Sequence, residues 1–66
     1  MTYRFFFLDA GGHVVGADMH DCNNDAHAEA HAGAAVARRG SESIEVWDGP
    51  RRVAIVRPAA WQAALR

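Results

Sequence analysis

Four side chains in one short stretch have the chemistry of a metal site: His20, Cys22, His27 and His31. Imidazole and thiolate are the ligands zinc prefers, and four of them complete a tetrahedron. His27 and His31 are four residues apart, so on a helix both rings leave from one face. His20 and Cys22 close a strand-like segment that feeds that helix. Asp18, Asp21 and Asp25 stand near as substitutes or supporting groups. The spacing matches no common zinc module. The competing reading makes His27 and His31 exposed helix residues and Cys22 a small buried hydrophobe. That reading is preferred: no cofactor, with zinc on these four residues as the alternative.

Other chemistry finds less support. His27-Ala28-Glu29-Ala30-His31 has the outer spacing of a metalloprotease helix. That motif needs glutamate directly after the first histidine, beside the metal-bound water. Glu29 is one position too late and points to the far side of a helix. Gly11-Gly12 with Gly16 lies between two strand-like segments, whereas a phosphate loop leads into a helix. Cys22 and His20 have the types of a nucleophile and its base, but no third orienting group or oxyanion donor accompanies them. The expectation is no enzyme. Arg38-Arg39 and Arg51-Arg52, the latter near Trp47, have the fork geometry for phosphates or an acidic protein surface; the plainer reading is cap and turn arginines.

The elements that would position these groups read in sequence order. Residues 3–8 are aromatic and β-prone, with Tyr3, Phe5 and Phe7 on one side and Arg4, Phe6 and Leu8 on the other. Asp9-Ala10-Gly11-Gly12 supplies a tight turn. Residues 14–20 are the return strand, with Gly16 marking a bulge or a close backbone approach. Asn23 or Asn24 is an N-cap for a helix over residues 25–39, in which Asp25 and Arg38-Arg39 complement the helix dipole and Gly40 ends it. On a helical wheel Ala26, Ala30, Gly33, Ala34 and Ala37 form a continuous small-residue face, expected to sit on the sheet. Residues 43–47 and 51–56 form a second hairpin around Asp48-Gly49-Pro50. Pro58 suits the first position of a short terminal helix reaching Leu65. The order predicts an α+β, two-layer β-β-α-β-β domain: one helix on a four-stranded, mainly antiparallel sheet, with a short C-terminal helical turn.

Sixty-six residues make one domain. A chain of this size buries only about 60% of the surface its unfolded form exposes. Cys22 is the single cysteine, so no internal disulfide is available. Self-association, a metal or an unaided core must supply the stability. A lone thiol without a secretory leader points to the cytoplasm. The strongly apolar run Phe5–Leu8 falls far short of the ~20 residues that span a bilayer, which argues against a membrane. The net charge of -1 is split: residues 1–33 hold five acids and one arginine, residues 34–66 six arginines and three acids. Opposite-signed halves suit contact between subunits, or simply solvate the surface. Sheet aromatics could stack bases, but the acidic first half and the lack of a basic stripe speak against nucleic acid.

The strands carry apolar residues on both sides, and one helix covers only one. The uncovered side is expected to pair with a second copy, a closed two-fold dimer being the commonest solution, or with a protein partner. Tyr3, Phe5, Phe7, Trp47, Val56 and Trp61 are the expected contact residues. The alternative cover is the C-terminal segment with Trp61 and Leu65.

Tyr3 to Asp9 with Gly11-Gly12, Asp25-Ala26 opening an alanine-rich helix, and Ile44 to Gly49 with Arg51 resemble a set of short bacterial proteins of unknown function. Those have an aromatic first strand, a glycine turn, an acidic loop, one helix and an E-V-W-x-G strand. The resemblance covers most of residues 3–56 and supplies no catalytic residue. A fainter likeness is to small antitoxin domains, from which this chain departs at Trp47-Asp48-Gly49. The sequence therefore reads as a non-enzymatic protein-interaction module that forms a homodimer. Its alternatives are a zinc-binding module and an antitoxin-like or nucleic-acid-associated regulator.

Overall fold

The computed structural model describes residues 1–39 and 42–59. It has four strands and one helix: β1 (Thr2–Leu8), β2 (Val14–Asp21), α1 (Asp25–Arg39), β3 (Ser43–Asp48) and β4 (Arg51–Val56). The strands form one antiparallel sheet in the order β2-β1-β3-β4. β2 and β3 both run antiparallel to β1, so they are parallel to each other. Parallel strands need a crossover, and α1 supplies it by passing over β1. The α+β β-β-α-β-β arrangement read from the sequence is the observed one.

Local chemistry explains each element. The Asp9 carboxylate accepts the backbone N–H groups of His13 and Gly11, both at 2.9 Å, and these bonds hold it below its ordinary pKa. Gly12 takes φ 83°, where a side chain would be strained. A Cβ on Gly16 would meet the Phe7 ring at 3.1 Å, so glycine permits that approach. Beside it the β1–β2 register shifts by one, leaving Val15 as the extra residue of a bulge. A second shift makes Val53 the extra residue on β4.

Asn24 caps the helix: its Oδ1 accepts the His27 N–H at 2.8 Å, and its carbonyl accepts the Ala28 N–H at 3.0 Å. Asp25 lies in the first turn and Arg38 and Arg39 in the last, each complementing the helix dipole. Gly40, the expected stop, lies outside the described residues, as does nearly all of the expected terminal helix.

The core lies between sheet and helix. Tyr3, Phe5 and Phe7 of β1 and Ile44 and Val46 of β3 pack against Ala28, Ala32, Ala35 and Val36, with Cys22 at one end and Val53 and Val56 alongside. Phe5 opposes Val46, and Phe7 opposes Ile44. The aromatic rings stand between β1 and the helix, whose backbone comes closest to β3 and β4.

Two expectations are corrected here. The helix turns the opposite face to the sheet: Ala26, Ala30, Ala34 and Ala37 are exposed and Gly33 is half-buried. Small residues occur all round α1, so their clustering does not choose a face. Bulk does, because Val36 and the alanines in line with it fit against the rings. Tyr3, Phe5 and Phe7 are therefore core residues, not contact residues. At 0%, 1% and 9% exposure they have nothing left to offer a partner. Val56 pairs with Ile44 and packs against the same core, so it too faces the helix. Trp47 alone of the expected set lies on the uncovered side, and Trp61 lies outside the described residues.

Candidate functional site

The register lays out the uncovered face in rows. Met19, Arg4, Trp47 and Arg52 form one row across β2, β1, β3 and β4; Ala17, Phe6, Glu45 and Ile55 form the next. Each is set there by strand alternation, opposite the residues that meet the helix. Phe6, Trp47 and Ile55 are half-buried, and Met19 is 59% exposed. Between β1 and β2 the face dips into a shallow open depression of about 460 Å³, lined by Arg4, Phe6, Ala17, Asp18 and Met19.

The charges on this face differ in commitment. The Trp47 Nε1–H donates to Glu45 Oε1 at 3.0 Å, and Arg52 reaches Glu45 Oε2 at 3.5 Å. Arg4 has no ion-pair or hydrogen-bond partner among the described residues. A free guanidinium between a tryptophan, a phenylalanine and a methionine combines the side-chain types that dominate protein interfaces.

The four candidate metal ligands do not converge. The His27 Nδ1 accepts the Asn23 N–H at 3.0 Å, which ties it to the helix cap. Cys22 is buried in the core, its backbone exchanging hydrogen bonds with Met1. Only His20 and His31 meet, their ring centroids 4.3 Å apart and both edge-on to Phe5 at 5.0 and 5.4 Å. His20 Nε2 lies 3.2 Å from Asp18 Oδ2. Burial, helped by the charges of His20, Arg38 and His27, lowers the His31 pKa; its Nδ1 is buried without a partner. Among the described residues no three histidine, cysteine, aspartate or glutamate side chains form a metal-holding group. The zinc alternative on His20, Cys22, His27 and His31 is corrected accordingly. Helix capping and core burial claim two of the four.

A clamp that sequence reasoning missed ties the helix to the second hairpin. Arg51 donates from both terminal nitrogens to the Asp25 carboxylate at 3.1 Å, and also to Asp48 Oδ2 at 3.1 Å. The buried Tyr3 hydroxyl donates to Asp25 Oδ1 at 2.8 Å. Burial, and then the hydrogen bond to Asp25, push the Tyr3 phenol up to about 12. The Arg51 and Tyr3 hydrogen bonds hold Asp25 below the ordinary carboxylate range, and the two aspartates raise Arg51. All four groups are satisfied by one another, which marks a structural lock and not a reactive centre. The only sequence signal was that Asp25 opens the helix and Arg51 follows the turn.

The fold and this face define a two-layer α+β domain with one sheet side that no described residue covers. Set against protein-family models, curated proteins and solved structures, the chain matches none. No helix among the described residues is long and apolar enough to cross a membrane.

Proposed function

We propose that this chain is a non-enzymatic interaction module that binds protein through the uncovered side of its sheet, self-association into a homodimer included. The observation that carries the reading is the composition of that side. Phe6, Ala17, Met19, Trp47 and Ile55 share it with Arg4, which has no partner within the described chain. Apolar area of this kind is removed from water at a gain when a second surface covers it. The polar rim of Glu45 and Arg52 is already internally paired, so it can be covered without stranding a charge.

The test is the mass in solution as a function of concentration, by sedimentation or light scattering. The parent chain is expected to shift from monomer to dimer or beyond, and Phe6→Glu and Trp47→Glu to associate less than the parent at each concentration while keeping their circular dichroism. An unaltered dimer in both variants would refute a role for this face.

A further inference from the structure

The two edges of the sheet are built differently. β4 opens with Arg51 and Arg52, and Pro58 follows it closely. Charged side chains and proline are the usual guards that stop an edge from pairing with another chain. β2 carries no proline, lysine or arginine along Val14–Asp21; its charges are Asp18 and Asp21, which already meet His20 and Thr2, and its bulge at Val15 leaves the stretch from Gly16 onward regular.

The outward groups of β2 follow from the ladder. Met1 N donates to Cys22 O at 3.1 Å and Cys22 N to Met1 O at 2.9 Å, a reciprocally bonded pair. The register then runs unbroken from Thr2 opposite Asp21 to Phe7 opposite Gly16. Bonded and non-bonded pairs alternate in an antiparallel ladder. His20, Asp18 and Gly16 therefore bond to β1, while Asp21, Met19 and Ala17 turn their N–H and C=O outward. Met19 agrees with this, since its N–H is accepted at 3.0 Å by the Asp18 carboxylate on its own strand.

We propose that the β2 edges of two copies pair antiparallel about a two-fold axis at Met19, making one continuous eight-stranded sheet with both helices on the same side. This rests on the self-association proposed above and adds a second contact between copies, along the β2 edge, which leaves the sheet face open to a further surface.

Charge and geometry select the register. Centred on Asp18, the pairing would set two carboxylates directly opposite each other, which is destabilising. Centred on Ala17, it would run into the bulge at Val15. Centred on His20, it would run into the loop before the helix. Centred on Met19, it uses the regular stretch 16–22 and places Asp18 opposite His20 of the second copy, twice by symmetry. Asp18 gives up the Met19 N–H to the second copy's backbone and gains that histidine. Asp18 and His20 already lie 3.2 Å apart within one strand, so the two pairs close into one group on the helix side. On the other side two Met19 side chains meet at the axis. The two depressions lined by Arg4, Phe6, Ala17 and Met19 then join across it.

The test combines cross-linking with amide exchange. In a Cys22→Ala background, Met19→Cys places one thiol opposite itself across a bonded pair, where the Cα separation of about 5.5 Å lies within disulfide range. It is expected to oxidise to a covalent dimer, and Ala17→Cys with Asp21→Cys only when the two are mixed. In the unaltered protein, the amides of Ala17, Met19 and Asp21 are expected to exchange more slowly as concentration rises, in proportion to the dimer fraction. A dimer whose three amides exchange as fast as in dilute monomer would overturn edge pairing and leave association through the face standing. A monomer at every concentration would overturn both. Self-linking by Ala17→Cys in place of Met19→Cys would overturn the register.

Discussion

Phe5 and Phe6 are adjacent and identical, yet the fold gives them opposite environments, and alanine at each position measures that difference. Phe5 is 1% exposed and packed between Val46 and the helix. Removing a buried phenylalanine costs about 3–5 kcal/mol. A domain of 66 residues, at about 0.05–0.15 kcal/mol per residue, has a total stability of about 3–10 kcal/mol. Phe5→Ala is therefore expected to be marginal or unfolded at room temperature. Phe6 is half-buried and open on one side, so its loss leaves no enclosed cavity. Full burial of such a ring contributes about 1.5–3 kcal/mol, and half covering about 1 kcal/mol. At about 4–8 °C per kcal/mol for so small a domain, Phe6→Ala should lower the melting temperature of dilute protein by about that much. Association stabilises the folded chain by mass action, so the parent's melting temperature should rise with concentration and that of Phe6→Ala should rise less. Thermal melts by circular dichroism at two well-separated concentrations read all of this. Equal losses for the two variants in dilute solution would mean that the Phe6 side is covered as fully as the helix side, and a reversed order that the helix lies on the Phe6 side; either result would remove the site described above.

Other outcomes follow from the polar groups. Tyr3 is the only tyrosine, so ultraviolet titration reports it alone; ionisation near pH 12 is expected, and a midpoint near 10 would refute its burial and its bond to Asp25. The linkage has two signs. The Tyr3 contribution is complete below pH 10 and is lost as pH rises toward 12, whereas that of Asp25 is complete above the ordinary carboxylate pKa and is lost as pH falls through its lowered value. Arg51→Ala should reduce the acid-side part of this dependence, leaving the share held by the Tyr3 bond and by Asp9, checked by denaturant melts across pH. Asn24→Ala should cost about 1 kcal/mol by leaving the His27 N–H uncapped, read as a lower denaturation midpoint; an unchanged midpoint would refute the cap. Stoichiometric zinc should leave the melting temperature unchanged, and a rise abolished by His31→Ala would restore the metal reading.

What the sequence made legible were features written into neighbouring residues. Asp9 to Gly12, Asn24 and Asp48-Gly49-Pro50 each carry their local chemistry within a few positions, so the order of strands and helix could be read directly. Facing could not. β1 has large apolar residues on both sides, and alternation says that Phe5 and Phe6 point apart without saying which meets the helix. The helix is as ambiguous, because alanine occupies most of its circumference. His27 looked like a ligand because ring spacing is visible in a sequence, whereas its bond to the Asn23 N–H depends on how the loop enters the helix.

The link between Asp25 and Arg51, 26 residues apart, resolves that ambiguity physically. Asp25 is fixed at the start of α1 by the Asn24 cap, and Arg51 is fixed at the β3–β4 turn. Their bidentate contact, together with the bond that the Tyr3 hydroxyl donates to Asp25, therefore requires α1 and the Tyr3 side of β1 to share one side of the sheet. Placing the helix on the Phe6 side would break that contact and strand the Tyr3 hydroxyl. With Tyr3 held to the helix side, alternation carries Phe5 and Phe7 with it and leaves Phe6 opposite. The polar clamp and the exposed apolar face are thus consequences of one choice: the interaction that locks the helix in place also determines which aromatic is left for a partner.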